Sequence, residues 1–252
     1  MTLQLKGGHT TEDPRLDRIY QLDLRSLNYQ VEPYPSVVPR SYTWKVGTWL
    51  DQGQEGSCVG HGFAHELIAV PKAVVGVDSQ YARHQIYWEA QKIDDWPGGS
   101  YPGASPSYEG TSVLSGAKVV ASLGFYSEYR WAINTYDLAA YIGHHGPAVL
   151  GVAWYEGMWN TDAEGFIAPI GQAVGGHCIL ARSVRLKKSD GYPAHEWREV
   201  DLDKSFFVLW NSWGPNWGVQ GYAKVTLRSM VKLIEQDHGE ACCPIRTSKR
   251  VI

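Results

Sequence analysis

The hydrophobic pattern changes period part-way along this 252-residue chain, and that change limits the folds open to it. From Cys58 to Val75 there are few breakers apart from Gly60, Gly62 and Pro71, and Phe63, Leu67 and Ile68 recur at helical spacing. Tyr81 to Lys92 reads as a second helix, stopped by Asp94-Asp-Trp-Pro-Gly-Gly99, and Ser112 to Leu123 as a third, ended by Gly124. Further on the apolar runs shorten. Ala148 to Trp154, His177 to Ala181, Ser205 to Trp210 and Gly221 to Thr226 predict strands of an antiparallel sheet or barrel. A helical lobe followed by a β lobe is an α+β plan, and ligand clefts tend to form at the seam of such a pair.

Three segments carry chemistry across that seam. Cys58 follows Asp51-Gln-Gly-Gln-Glu-Gly-Ser57 at the expected start of the first helix. A Gly-Gly-His177 precedes one predicted strand, and Asn211-Ser-Trp-Gly214 follows another. They supply a nucleophile, a base and an orienter for that base. A helix N-terminus and a facing imidazolium would both depress the pKa of Cys58. His177 would protonate a leaving amine and later deprotonate water, while Asn211 fixes its tautomer and orientation. Trp213 would cover that hydrogen bond from water. Gln52, with the backbone N–H of Cys58, would hold the oxyanion of a tetrahedral intermediate.

Other groups read more plainly. Cys178 points to the opposite strand face from His177 and is expected in the core. His61 and His65 are spaced i, i+4 and, with Cys58, have the types a metal would use; no metal and no cofactor is expected. His144-His145 is read as a Gly-bounded turn. Cys242 and Cys243 are adjacent, so no disulfide framework is evident and a reducing compartment fits.

The formal net charge is −3, with no basic block, which argues against nucleic acid as a partner. No run is long and apolar enough for a membrane span, and the first residues lack a secretion signal. A cytoplasmic or virion-associated setting is therefore expected. Residues 1–40 are polar and proline-punctuated, with Ile19, Leu22, Leu24, Leu27, Tyr29 and Val31 as anchors. They are read as a surface strap, rather than a pro-segment blocking a cleft, and as a place for assembly partners. Residues 41–230 form the main domain, helical over about 55–130 and β over about 131–230, and 231–252 form a C-terminal extension.

At Asn211-Ser-Trp-Gly-Pro-Asn-Trp-Gly-Val-Gln-Gly-Tyr222 the chain resembles the papain-like cysteine peptidases, whose pattern also has the Gln52-to-Cys58 spacing and the Gly176-His177 step. The resemblance covers roughly residues 41–230 and implies a two-lobe fold. It makes Cys58, His177, Asn211 and Gln52 the catalytic set, with Trp213 and Trp217 roofing the β-lobe side of the cleft. Gly110 would pair with the substrate main chain, Tyr108 and Glu109 would shape the non-primed subsites, and Gly176 would belong to the β-lobe wall. There are departures. Glu55-Gly-Ser57 stands where the family has Cys-Gly-Ser, Val59 replaces a Trp, and Gly176 replaces an Asp or Asn. The spacing from Cys58 to His177 is shorter than the family's roughly 130–150 residues. The resemblance therefore implies a microbial or phage member without a full pro-domain or disulfides. The activity it implies is endopeptidase hydrolysis of a polypeptide substrate through a thioester. The alternatives are a papain-fold structural or binding subunit of a larger phage or bacterial assembly, or an acyl or isopeptide transferase using the same dyad.

Overall fold

The computed structural model describes residues 2–21, 23, 26 and 28–247. Two short arm strands, β1 (Leu3–Gln4) and β2 (Thr10–Thr11), pair antiparallel, and β3 (Tyr42–Thr43) follows. The helical lobe comprises α1 (Cys58–Leu67), α2 (Ser79–Tyr81), which runs through a wide turn at Ala82–Tyr87 into α3 (Trp88–Ile93), and α4 (Val113–Ser122). Next come β4 (Tyr126–Trp131), α5 (Thr135–His144), β5 (Ala148–Tyr155), β6 (Ala173–Arg185), β7 (Phe206–Trp210), β8 (Tyr222–Thr226), α6 (Leu227–Val231) and β9 (Glu240–Arg246). The large sheet is antiparallel in the order β4-β9-β5-β6-β7-β8, with β3 paired to β6. The architecture is the α+β, two-lobe plan that the change of period predicts.

The sheet is a partition between two cores. Val149, Cys178, Leu180, Trp210 and Cys242 pack with Phe63, Leu67, Ile86 and Val120 of the helical lobe. Their strand neighbours Leu150, Ile179, Ala181, Leu209 and Cys243 pack the other way, with Leu138, Ile142, Trp154 and Phe207. Because successive side chains alternate faces and both faces are buried, the strands read as continuous apolar runs rather than as an alternation.

Helix α1 is buried along its whole length, as expected of the central helix of a lobe. Its glycines permit this. A Cβ at Gly60 would lie 2.2 Å from the Ala82 carbonyl oxygen, and one at Gly62 would lie 2.7 Å from Cys178 Sγ. The helix thus seats directly against both the following helical segment and β6. It stops at Leu67 rather than Val75, and Pro71 lies beyond it. Helices α4 and α5 are capped by Ser112 and Asn134, which accept from the backbone N–H of Ser115 and Asp137.

Two parts of the sequence reading need correction. Residues 231–252 are not an appendage throughout, since β9 lies inside the sheet between β4 and β5. That strand holds Glu240, two cysteines and Pro244 and has no long apolar run, so propensity gave no sign of it. His144 ends α5 instead of standing in a turn, and its Nε2 bonds the Val38 carbonyl at 2.9 Å.

Candidate active site

Cys58 is fully buried at the first turn of α1. Its Sγ donates to Asp17 Oδ1 at 2.8 Å and accepts from the backbone N–H of Cys178 at 3.2 Å. His177 precedes that amide on β6, so the strand that carries His177 is tied to the thiol. The His177 Nε2–Asn211 Oδ1 distance is 2.7 Å. Asn211 Oδ1 also accepts from Ser212 N at 2.8 Å, which makes it an acceptor. Nε2 must therefore carry the ring proton, and Nδ1, which has no hydrogen-bond partner, keeps a lone pair. Trp154 and Trp213 flank the ring at 4.9 and 4.8 Å between centroids. Trp154 lies in an apolar strand run and gave no separate signal in the sequence.

Gln52 is held from both ends. Its Oε1 accepts from Ser212 Oγ at 2.6 Å, and its Nε2 donates to Glu55 O at 2.7 Å and to Arg15 O at 3.4 Å. The short Gln52-to-Cys58 loop is braced from the other side, because Glu109 Oε2 accepts from Gly56 N at 3.0 Å. Glu109 thus supports that loop rather than facing outward, and Tyr108 is exposed. Gly110 has φ of +103° and lies against the arm, where a Cβ would come within 2.8 Å of Ile19 Cδ1. Trp217 packs edge-on against Trp213 at 5.5 Å, and its Nε1 donates to Trp159 O.

The arm occupies this seam, so the surface-strap reading does not hold. Arg18 N donates to Gly176 O at 3.1 Å on the β-lobe wall, and Ile19 N donates to Thr111 O at 2.9 Å on the helical wall. Asp17 and Arg18 make parallel bridges to Gly176 and Thr111. Leu16 is fully buried against Gly175 and joins the β-lobe core. The Arg15 guanidinium carbon lies 4.5 Å above the Trp213 ring. Arg18 forms a buried ion pair with Glu240, with Nε–Oε2 at 3.0 Å, and Lys6 is buried against Asp94 at 2.7 Å. None of these pairings has a local sequence signature, since each joins residues far apart in the chain. Of the expected anchors, Leu22, Leu24 and Leu27 lie outside the described residues.

Burial by the arm sets the electrostatics. Desolvation, together with the neighbouring Asp17 carboxylate, pushes the Cys58 thiol well above its ordinary value. Desolvation likewise lowers His177 to about 4, against the opposing hydrogen bond to Asn211. Burial therefore works against the expected thiolate–imidazolium pair in this state, from both sides. Burial raises Asp17 itself to about 7.

His61 and His65 are engaged inside α1 and its surroundings. His61 Nδ1 lies 2.9 Å from Ser57 O, while His65 Nε2 accepts from Leu50 N and its ring stacks on Trp210. Among the described residues no group of three or more His, Cys, Asp or Glu side chains could hold a metal ion. All four cysteines are free. No described helix is long and apolar enough to cross a membrane.

A helical lobe packed through α1 against an antiparallel β lobe, with Cys58 on the helix and His177 and Asn211 on the sheet at their seam, is a papain-like fold. Solved structures agree with that assignment. Xylellain, a cysteine protease from Xylella fastidiosa, is similar over 94% of this chain and 98% of its own, with a TM-score of 0.62 and 15% identity. The bromelain protease from Ananas comosus, in complex with the E64 inhibitor, matches 82% of this chain and 99% of its own at a TM-score of 0.54 and 16% identity. Digestive procathepsin L2 proteinase from Tenebrio molitor larval midgut matches 90% and 77% at 0.53 and 16%. No family model and no curated protein matches the chain.

Proposed function

We propose that this chain is a cysteine-type endopeptidase, described here with its own arm masking the cleft. The observation that carries the reading is the His177 Nε2–Asn211 Oδ1 hydrogen bond. It leaves the Nδ1 lone pair available on a ring whose following amide bonds the nucleophile. With the arm withdrawn, water relieves the burial that works against ionisation of both groups. Cys58 at the N-terminus of α1 then gives its proton to Nδ1, and the thiolate attacks a substrate carbonyl carbon. The Gln52 Nε2 hydrogen now directed at Arg15 O becomes free for the oxyanion, together with Cys58 N–H. His177 protonates the leaving amine, and then takes a proton from the water that opens the thioester.

An internal cleavage site suits the cleft, because the arm extends past Cys58 on both sides, from Arg15 beside Trp213 to Ile19 beside Gly110. With the acyl half of a substrate on the Gly110 wall, the arm runs opposite to a substrate. It presents a side-chain carboxylate to the thiol rather than a peptide carbonyl, which accounts for its survival in the cleft.

The test uses the full-length chain carrying Arg18→Ala, treated with an epoxysuccinyl peptide near neutral pH, with Cys58→Ser alongside. A single adduct on Cys58, together with cleavage of an unfolded polypeptide, is the expected outcome. An adduct without cleavage would turn the reading towards a transferase. No adduct would favour a structural or binding subunit.

A further inference from the structure

The cleft keeps a cation site on its β-lobe side that the arm fills with its own Arg15. Trp159 and Trp213 stack at 5.5 Å with an interplanar angle of 22°, and the Arg15 guanidinium carbon lies 4.5 Å from one ring and 5.4 Å from the other. The Trp217 Nε1 bond to the Trp159 carbonyl ties the backbone that carries the second ring. Asp51, paired with Trp213 across an antiparallel bridge, adds a carboxylate to the same edge, and its charge acts on Arg15. A Cβ at Gly214 would lie 2.8 Å from Asp51 Oδ2, so the glycine leaves room for that carboxylate. Asp13, the other partner of Arg15, belongs to the arm and leaves with it.

We infer that this aromatic and acidic face selects a basic residue, arginine before lysine, at the first or second position after the scissile bond. The inference rests on the peptidase reading and names its substrate class. The physical ground is that a guanidinium is planar and weakly hydrated. It therefore stacks on two indoles at less desolvation cost than an ammonium, while Asp51 supplies the opposite charge. Trp159, Trp213 and Asp51 are also held by contacts outside the arm, through Trp217 and the Asp51–Trp213 bridge, so the surface does not depend on Arg15 alone.

The experiment uses full-length chain with Arg15→Ala and Arg18→Ala, and peptides that differ only in having Arg, Lys, Ala or Glu at those two positions. Cut sites are mapped by mass. The expected kcat/KM is roughly tenfold higher with Arg than with Ala and lowest with Glu, and adding Asp51→Asn shrinks the Arg-to-Ala ratio severalfold. Equal rates for all four peptides would overturn the inference and leave the peptidase reading standing. No cleavage despite alkylation of Cys58 would bring down both. An independent measurement keeps the wild-type latch. In Arg15→Ala alone, Cys58 is alkylated faster than in wild type, with Arg15→Lys intermediate, whereas identical rates for all three would overturn the inference.

Discussion

The Asp17 carboxylate accepts a hydrogen bond from the Cys58 thiol at 2.8 Å, so the arm's acid sits directly on the candidate nucleophile. Both partners are fully buried. Burial raises the pKa of each, and the Asp17 charge pushes the thiol up further, whereas the thiol's hydrogen bond opposes the rise at Asp17. The mask therefore acts on chemistry as well as on access.

The first prediction concerns pH. The docked Asp17 has a pKa of about 7 against an ordinary 3.8, so docking takes up a proton. The stabilisation is complete below the ordinary value and is lost as pH rises towards 7, with a ceiling on the order of 4 kcal/mol. Asp17→Asn should gain thermal stability relative to wild type as pH rises from about 5 to about 8. Parallel pH–stability curves for the two proteins would remove Asp17 from the effect.

Arg18→Ala leaves Glu240 buried without its partner, and nothing then opposes the burial that already raises its pKa. Breaking a buried pair on one side typically costs about 3–5 kcal/mol. The arm should become sensitive to limited proteolysis near residue 18 while the body stays intact. An arm as resistant as that of wild type would show that Arg18–Glu240 does not hold it.

If the chain is the proposed peptidase, with Asn211 orienting His177 rather than reacting, Asn211→Ala should reduce turnover of the unmasked protein by less than the roughly 10²–10⁴-fold that a general base contributes. A loss equal to that of Cys58→Ala, with the fold intact by circular dichroism, would give Asn211 a larger part.

Gln52→Ala should lower kcat by about 10²–10³-fold with KM little changed, if its Nε2 serves the oxyanion. The comparison is made in the unmasked enzyme by initial rates, and an unchanged kcat would withdraw that role.

Gly60→Ala tests the seating of α1. Its Cβ would lie 2.2 Å from a backbone oxygen that cannot rotate away. A loss of about 1–3 kcal/mol in denaturant unfolding is expected. An unchanged midpoint would mean that α1 and the Ala82 turn separate readily.

Much of the site was legible because its parts are local. The Gln52-to-Cys58 loop, the Gly176-His177 step and the Asn211-Ser-Trp-Gly run each place one side chain at the end of one element, and such short patterns survive in a sequence. The family pattern places Glu109 at the cleft, yet its side chain supports Gly56, because no local pattern says which way a loop carboxylate turns. Strand β9 is not legible in the sequence, because its place is set by its neighbours β4 and β5 and not by its own propensity.

The sequence by itself determined the two-lobe plan and the residue types brought to the seam, since periodicity and short-range spacing are properties of the chain. The tertiary structure alone decided that the site is closed. Asp17 on Cys58, Arg18 on Glu240 and Arg15 on Trp213 join residues 41 to 222 positions apart, and burying charged groups in such contacts depends on the whole fold excluding water around them. The chemistry was written locally, and the state of that chemistry was set by burial.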